Sequence, residues 1–264
     1  MEQYINTAKE AAAIGGKILM DALGSLQSEQ VSLKGTNDYV TELDHKSEEA
    51  IIEHIKSVFP DHSICAEETG FDGHSSEFQW IIDPLDGTTN YVHGIPFFSV
   101  TVALVHHKEI LAGVVLDPIR KEEFWAVKGE GAYLNDQQIH VGQKDSLHST
   151  LLGTGFPWRS KQYWDAFIVS FNVFFENAAG VRRMGSAAID LSYTACGRFD
   201  GFWEMKLKPW DIAAGILILK EAGGIVTDFI GGSDYMESGN VVAANPKVHA
   251  KMVEITKQYL AGVE

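Results

Sequence analysis

The stretch from Trp80 to Pro96, W-I-I-D-P-L-D-G-T-T-N-Y-V-H-G-I-P, constrains this chain more than any other. Trp80-Ile81-Ile82 reads as a buried strand, and it runs directly into a carboxylate, Asp83. Pro84 has no N–H to extend a sheet ladder, so the strand is expected to end at Asp83. Asp86 follows three residues later, and then Gly87-Thr88-Thr89-Asn90. Two carboxylates at the mouth of a buried strand repel each other unless a cation lies between them. A Gly-Thr-Thr turn offers free N–H groups and hydroxyls to an anion. A cation site beside an anion site points to metal-assisted phosphate chemistry, provided that the rest of the chain supplies further ligands.

The formal net charge of −15 excludes a nucleic-acid surface built on bulk basicity. It is compatible with an anionic substrate only where bound cations or a local basic cluster invert the potential. The longest apolar run, near Phe97 to Val105, is too short to span a bilayer. The start, M-E-Q-Y-I-N-T-A-K-E, lacks the basic-then-apolar pattern of a secretory signal, so a cytosolic location is expected. Cys65 and Cys196 lie in apolar segments and read as buried thiols.

Spacings of three and four from Ile5 through Ala8, Ala12, Gly15 and Leu19 to Leu23 predict an amphipathic helix over 2–24. Gly15-Gly16 suggests close approach to another backbone. Residues 25–40 read as a loop or loose hairpin. Thr41 is placed to cap a second helix, with Asp44 in its first turn, Ile51, Ile52, Ile55 and Phe59 inward, and Pro60 just past its end. A short strand, 63–66, ends on Glu67-Glu68. Residues 97–106, 110–117 and 122–128, with 132–134 and 139–141, predict an antiparallel meander. The second half alternates strands near 151–154, 181–184, 199–204, 225–228 and 241–244 with helices near 162–178, 186–196, 209–221 and from Pro246 onward. This is α+β with layered helices and sheets.

Acidic residues thus stand at element ends: Asp44, Glu67, Asp83, Asp86 and Asp211. Asp211 opens a helix, so a capping role competes with a ligand role. Glu67 at a strand end competes with a plain solvated loop. An EF-hand is excluded, because its third position is acidic and its Gly comes sixth, whereas here Leu85 is third and Gly87 fifth. The D-x-D-G-T motif of haloacid-dehalogenase enzymes is one residue too short to match D-P-L-D-G-T.

E-E-T at 67–69, the 83–96 stretch, and W-D-I-A-A-G-I-L-I-L-K-E-A-G-G at 210–224 resemble, in order and spacing, the signature motifs of the inositol monophosphatase family. K-G-T-N-D-Y-V-T-E-L-D at 34–44 is similar to the family's N-terminal loop, and D-G-F-W-E-M-K-L-K-P-W-D at 200–211 is nearest its bacterial inositol-1-monophosphatase branch. The resemblance implies a single domain over 1–264 in the layered αβαβα sugar-phosphatase fold. Its N-terminal α+β half would reach about residue 145, and its C-terminal α/β half would follow. It implies a Mg²⁺-dependent phosphomonoesterase of myo-inositol 1-phosphate or a similar polyol phosphate, with no phospho-enzyme.

By that resemblance Glu67, Asp83 and the Leu85 carbonyl hold one Mg²⁺. Asp83, Asp86 and Asp211 hold a second, and Glu67 reaches a third, so two to three ions are implied per subunit. Thr88 and Asp44 are linked to the attacking water, with Glu67 counted among the catalytic groups. Gly87 and Thr88 hold phosphate oxygens. Asp86, Asp211, Glu204 and the Gly185-Ser186-Ala187 turn hold the polyol. Lys34 is implied at the third ion's water shell, against the alternative of an ordinary surface Lys. Arg182 and Arg183 suit either an anionic substrate or a subunit contact. His93 reads as a structural hydrogen-bonder. Lithium inhibition and a homodimer are implied, with the apolar meander at 97–128 as the suggested subunit face, and no membrane or direct nucleic-acid partner. Fructose 1,6-bisphosphate or another small phosphate is the alternative substrate. A regulatory binding protein of the transcription machinery, with incidental catalysis, is the alternative from another class.

Overall fold

The computed structural model describes residues 1–24, 31–35 and 38–263, with backbone only for 31–35 and 38–40. Helix α1 (Glu2–Ala22) buries Ile5, Ala8, Ala12, Gly15 and Leu19, as its periodicity predicts. After the hairpin β1 (Val31–Gly35) and β2 (Asp38–Thr41) comes α2 (Glu42–Val58). Its start is a capping box: Leu43 N–H donates to Thr41 Oγ1 at 3.1 Å, and Thr41 N–H donates to Asp44 Oδ2 at 2.9 Å. The paired glycines of α1 do mark close packing, though against side chains rather than another backbone. A Cβ on Gly15 would lie 2.7 Å from Ile51 Cδ1 of α2, and one on Gly16 would lie 2.9 Å from Leu116 Cδ2.

Strands β3 (Ser63–Ala66), β4 (Gly70–Phe71) and β5 (Phe78–Asp86) lead into a one-turn helix, α3 (Thr88–Val92). The meander follows as β6 (Ser99–His106), β7 (Glu109–Asp117), β8 (Glu122–Val127), β9 (Ala132–Leu134) and β10 (Gln137–Ile139). These strands form one sheet in the order β10-β9-β8-β7-β6-β5-β3-β4, antiparallel except where β3 lies parallel to β5.

The second half contributes β11 (Leu151–Thr154), α4 (Trp164–Asn177), β12 (Gly180–Arg182), α5 (Ala187–Ala195), β13 (Gly201–Glu204) and α6 (Pro209–Glu221). It ends with β14 (Ile225–Thr227), a one-turn α7 (Tyr235–Ser238), β15 (Val241–Ala244) and α8 (Pro246–Tyr259). Its sheet runs β12-β11-β13-β15-β14.

Alternation along the strands sorts the side chains into three cores. Trp80, Ile82, Val102 and Val114 face α1 and α2. Ile81, Ala103 and Val115 face α5 and α6, which meet Phe202, Val226 and Ala243 of the second sheet on their other side. Trp203, Val242 and Ala244 face α4 and α8. The result is the five-layered α/β/α/β/α arrangement that the family resemblance implies.

Three expectations are corrected. The β5 strand does not stop at Asp83 but runs through Pro84 to Asp86. Asp83 pairs with Thr101 and Asp86 with Ser99, so three steps on β5 oppose two on β6. This is a β-bulge, and a bulged residue needs no ladder N–H, which is why Pro84 is tolerated there. Second, β6 and β7 are covered on both faces by the chain's own helices and offer no apolar subunit face. Cys65 and Cys196 are half-buried rather than buried, and both thiols are free, with burial pushing their pKa values up. Among the described residues no helix is long and apolar enough to cross a membrane.

Candidate active site

The bulge places its carboxylates in one cavity. Leu85 N–H turns away from the ladder and donates to Asp83 Oδ1 at 3.0 Å, fixing the rotamer of Asp83. From α2, the Ser47 hydroxyl donates to the Pro84 carbonyl at 3.2 Å. Gly87 then adopts φ 98°, the left-handed region open to Gly. A Cβ there would lie 3.1 Å from the Phe97 carbonyl and 3.2 Å from that of Gly185. The chain therefore turns into α3 with no room for a side chain.

The other predicted residues converge from different elements. Glu67 follows β3, where its N–H donates to the Ile82 carbonyl at 3.2 Å. The buried Glu48 of α2 accepts the N–H groups of Glu68 and Thr69, each at 2.8 Å, and so pins the turn that carries Glu67. Asp211 lies in the first turn of α6, where Oδ2 accepts the Lys208 N–H at 2.7 Å. Asp211 thus caps its helix and also faces the cavity, so the cap does not take the residue away from the site. Glu67, Asp83, Leu85, Asp86, Gly87, Thr88, Gly185, Ser186, Ala187, Glu204 and Asp211 all line one cavity of about 170 Å³.

Asp86 Oδ2 accepts from Ser186 Oγ at 2.6 Å and from Ala188 N–H at 2.9 Å. Ser186 also caps α5 through Ile189 N–H and is buried. Its hydroxyl therefore positions Asp86. Asp44 does not line the cavity wall but stands behind Thr88. Its Oδ2 accepts Thr41 N–H and, at 2.6 Å, Thr41 Oγ1, while Oδ1 lies 3.3 Å from Thr88 Oγ1. The Thr88 hydroxyl also reaches the Leu85 carbonyl at 3.0 Å.

Burial and mutual repulsion shape the electrostatics. Burial, and then the charges of Glu67, Asp86 and Asp211, hold Asp83 well above the usual carboxylate range. Burial pushes Asp86 up to about 6 against the pull of its bonds from Ser186 and Ala188. Burial and the charge of Asp86 push Asp211 up to about 7. Asp86 and Asp211 keep part of their surface open, because they sit on the floor of a cleft. An all-oxygen set that destabilises its own charges fits a hard divalent cation such as Mg²⁺.

Glu204 ends β13 on the far wall. Burial pushes it up to about 8, opposed by Arg183 and helped by Asp211 and Asp86. A Cβ at position 155 would lie 1.8 Å from Glu204 Oε1, so Gly155 makes the space that Glu204 occupies. Gly155→Ala is expected to raise KM about 10-fold or more by displacing the Glu204 carboxyl from the cavity wall, with a smaller change in kcat. Steady-state kinetics on a polyol phosphate would show it, and an unchanged KM would remove Glu204 from the substrate contacts.

The Arg182-Arg183 pair divides. Arg183 lines the cavity 6.0 Å above the Phe156 ring, whereas Arg182 is exposed on the edge strand β12. The side chain of Lys34 lies outside the described residues. His93 ends α3 and is exposed. Sequence reasoning missed the 154–160 segment, which brings Phe156, Trp158 and Arg159 to the cavity, and Asn90. Asn90 Nδ2 donates to the carbonyls of Phe97 at 2.8 Å and Met184 at 2.9 Å, joining the two halves beneath Gly87. Of these signals only Asn90, inside the 83–96 stretch, was available locally.

The family model described as inositol monophosphatase matches residues 1–261. A Nus factor SuhB of Pasteurella multocida is 48% identical over 249 residues, 94% of this chain and 93% of the relative. An inositol-1-monophosphatase of Mesorhizobium japonicum is 41% identical over 258 residues, 97% of each chain. The solved structure of an IMPase from Thermotoga maritima superposes over the whole of both chains with a TM-score of 0.90 at 35% identity. The bulged acidic strand, the layered fold and these likenesses together place the chain in the inositol monophosphatase family.

Proposed function

We propose that this chain is a Mg²⁺-dependent phosphomonoesterase that hydrolyses myo-inositol 1-phosphate or a closely similar polyol phosphate. The observation that carries the reading is the convergence of Glu67, Asp83, Asp86 and Asp211 from β3, β5 and α6 in one cavity, with Thr88 and Asp44 beside them. Glu67, Asp83, the Leu85 carbonyl, Asp86 and Asp211 would hold two to three Mg²⁺ ions. When bound, Mg²⁺ supplies Lewis-acid neutralisation of the phosphate charge.

The chain's own groups do the rest. The Thr88 hydroxyl, 3.3 Å from Asp44 Oδ1, relays the proton of an attacking water to that carboxylate. The water oxygen bonds to phosphorus as the phosphorus–ester bond breaks, and the polyol oxygen leaves with a proton from solvent. The backbone at Gly87 and Thr88 orients phosphate oxygens. Glu204, poised about pH 8, accepts from or donates to polyol hydroxyls, and Arg183 opposite it favours an anionic ligand. No side chain needs to attack phosphorus. Lithium competition and a homodimer belong to the same reading.

Phosphate release across inositol 1-phosphate, fructose 1,6-bisphosphate, adenosine 3′,5′-bisphosphate and NADP, with and without Mg²⁺, tests it. The expected result is turnover only with Mg²⁺ and fastest on inositol 1-phosphate. Every substrate intact with metal present would overturn the enzyme reading. A second reading, a regulatory binding protein of the transcription machinery, draws support from the Nus factor name of the P. multocida relative. The retained acidic set favours catalysis alongside it, since uncompensated buried carboxylates would otherwise only destabilise the fold.

A further inference from the structure

The β5–β6 pair has a second cluster of ligating side chains at its other end. Glu77 precedes β5, His106 ends β6, and His107 begins the turn into β7. His106 lies opposite Phe78 in the ladder, and His107 N–H donates to the Glu77 carbonyl at 3.4 Å. His107 adopts φ 47°, which swings its ring back beside that of His106, with centroids 4.2 Å apart. Glu77 Oε2 stands 3.9 Å from His106 Nε2, and Glu77 Oε1 stands 3.5 Å from His107 Nε2. The three ligand atoms fall within 4.8 Å of one another.

From this geometry we infer that Glu77, His106 and His107 form a transition-metal site, separate from the Mg²⁺ cleft, that takes Zn²⁺ or a similar borderline cation. The gaps are longer than the ~2.7–3.2 Å of a hydrogen bond. A tetrahedral centre with bonds of about 2.0–2.2 Å sets its ligand atoms roughly 3.3–3.6 Å apart, so small side-chain rotations close the set. Two imidazoles and one carboxylate select Zn²⁺, Ni²⁺ or Cu²⁺ over Mg²⁺, which prefers oxygen.

The ring of His106 is already held, stacked 4.4 Å from Phe78, which stacks 4.8 Å from His62, which stacks 4.7 Å from Phe59. A ligand braced by packing loses less freedom on binding. Three protein ligands leave at least one position to water or a further donor. Glu77 and Asp83 are six residues apart on an extended strand, or about 20 Å, so the two metal sites are independent.

The test is a Zn²⁺ titration of the full chain, followed by calorimetry, with Mg²⁺ in large excess to occupy the cleft. One Zn²⁺ per chain is expected, with affinity at least about 10-fold weaker in Glu77→Gln and in His107→Asn and unchanged in Asp83→Asn. Asn tolerates the left-handed conformation at position 107, so the turn survives the substitution. Unchanged thermal unfolding without zinc would confirm that. Zinc uptake lost in Asp83→Asn but kept in the Glu77 and His107 variants would place the ion in the cleft and overturn the inference. No uptake by the unaltered chain would overturn it as well.

Discussion

Asp83→Asn is expected to lower kcat by at least about 10³-fold, the equivalent of losing roughly 4 kcal/mol of transition-state stabilisation at a metal centre. Asp83 is the innermost acid of the cleft, and the other three carboxylates all repel it. The same substitution should raise the unfolding temperature of the metal-free protein, because it removes a buried carboxyl that must either take up a proton or carry an uncompensated charge. Activity and stability would then move in opposite directions, which a general folding defect cannot produce. Asp211→Asn is expected to match the loss of turnover. Near-normal turnover in that variant would take Asp211 out of the ligand set.

The pH dependence follows from the same acids. Asp83, Asp86, Asp211 and Glu204 all have folded pKa values above their ordinary ones. Between the ordinary carboxylate range and about pH 8 the folded state therefore holds more protons than the unfolded state. Stability of the metal-free protein falls as pH rises through that window. On the proposed function Mg²⁺ would compete with those protons, so its stabilising effect is expected to be larger at pH 8 than at pH 6. Thermal unfolding at the two pH values, with and without Mg²⁺, checks both signs.

Asp44→Asn is expected to lower kcat about 10²–10⁴-fold with little change in KM, the usual range for a lost general base. Asp44 makes two sets of contacts, and the variant tells the proposed base from the helix cap. One oxygen completes the capping box with Thr41, and the other faces Thr88. Loss of a cap costs about 1 kcal/mol and leaves kcat alone. Full turnover with a slightly lowered unfolding temperature would therefore reduce Asp44 to a capping residue. Thr88→Ala should share the loss of kcat, and Thr88→Ser, which keeps the hydroxyl, should recover most of it.

Much of this was legible in the chain because the signals are local. The helical spacing of Ile5 to Leu19, the Thr41 cap, and Pro209 and Pro246 at their helix starts each depend on a few neighbouring residues. The misreadings are also physical. Pro84 argues against a ladder position, but whether a strand stops or bulges depends on its partner, and β6 supplies Ser99 to meet Asp86. The apolar meander could have covered another subunit or its own helices, and hydrophobicity alone does not choose between them.

By itself the sequence determined which acids to gather, the turn at Gly87 and the order of the longer strands and helices, because these rest on residue chemistry and short-range geometry. Only the tertiary structure decided that Asp86 is held by Ser186 and Ala188, a hundred residues away in the chain. Packing likewise decided that Gly155 is empty for the sake of Glu204, that Glu48 pins the turn of Glu67, and that Glu77 meets His106 and His107. Each of these depends on which strands lie side by side, and burial across whole sheets settles that.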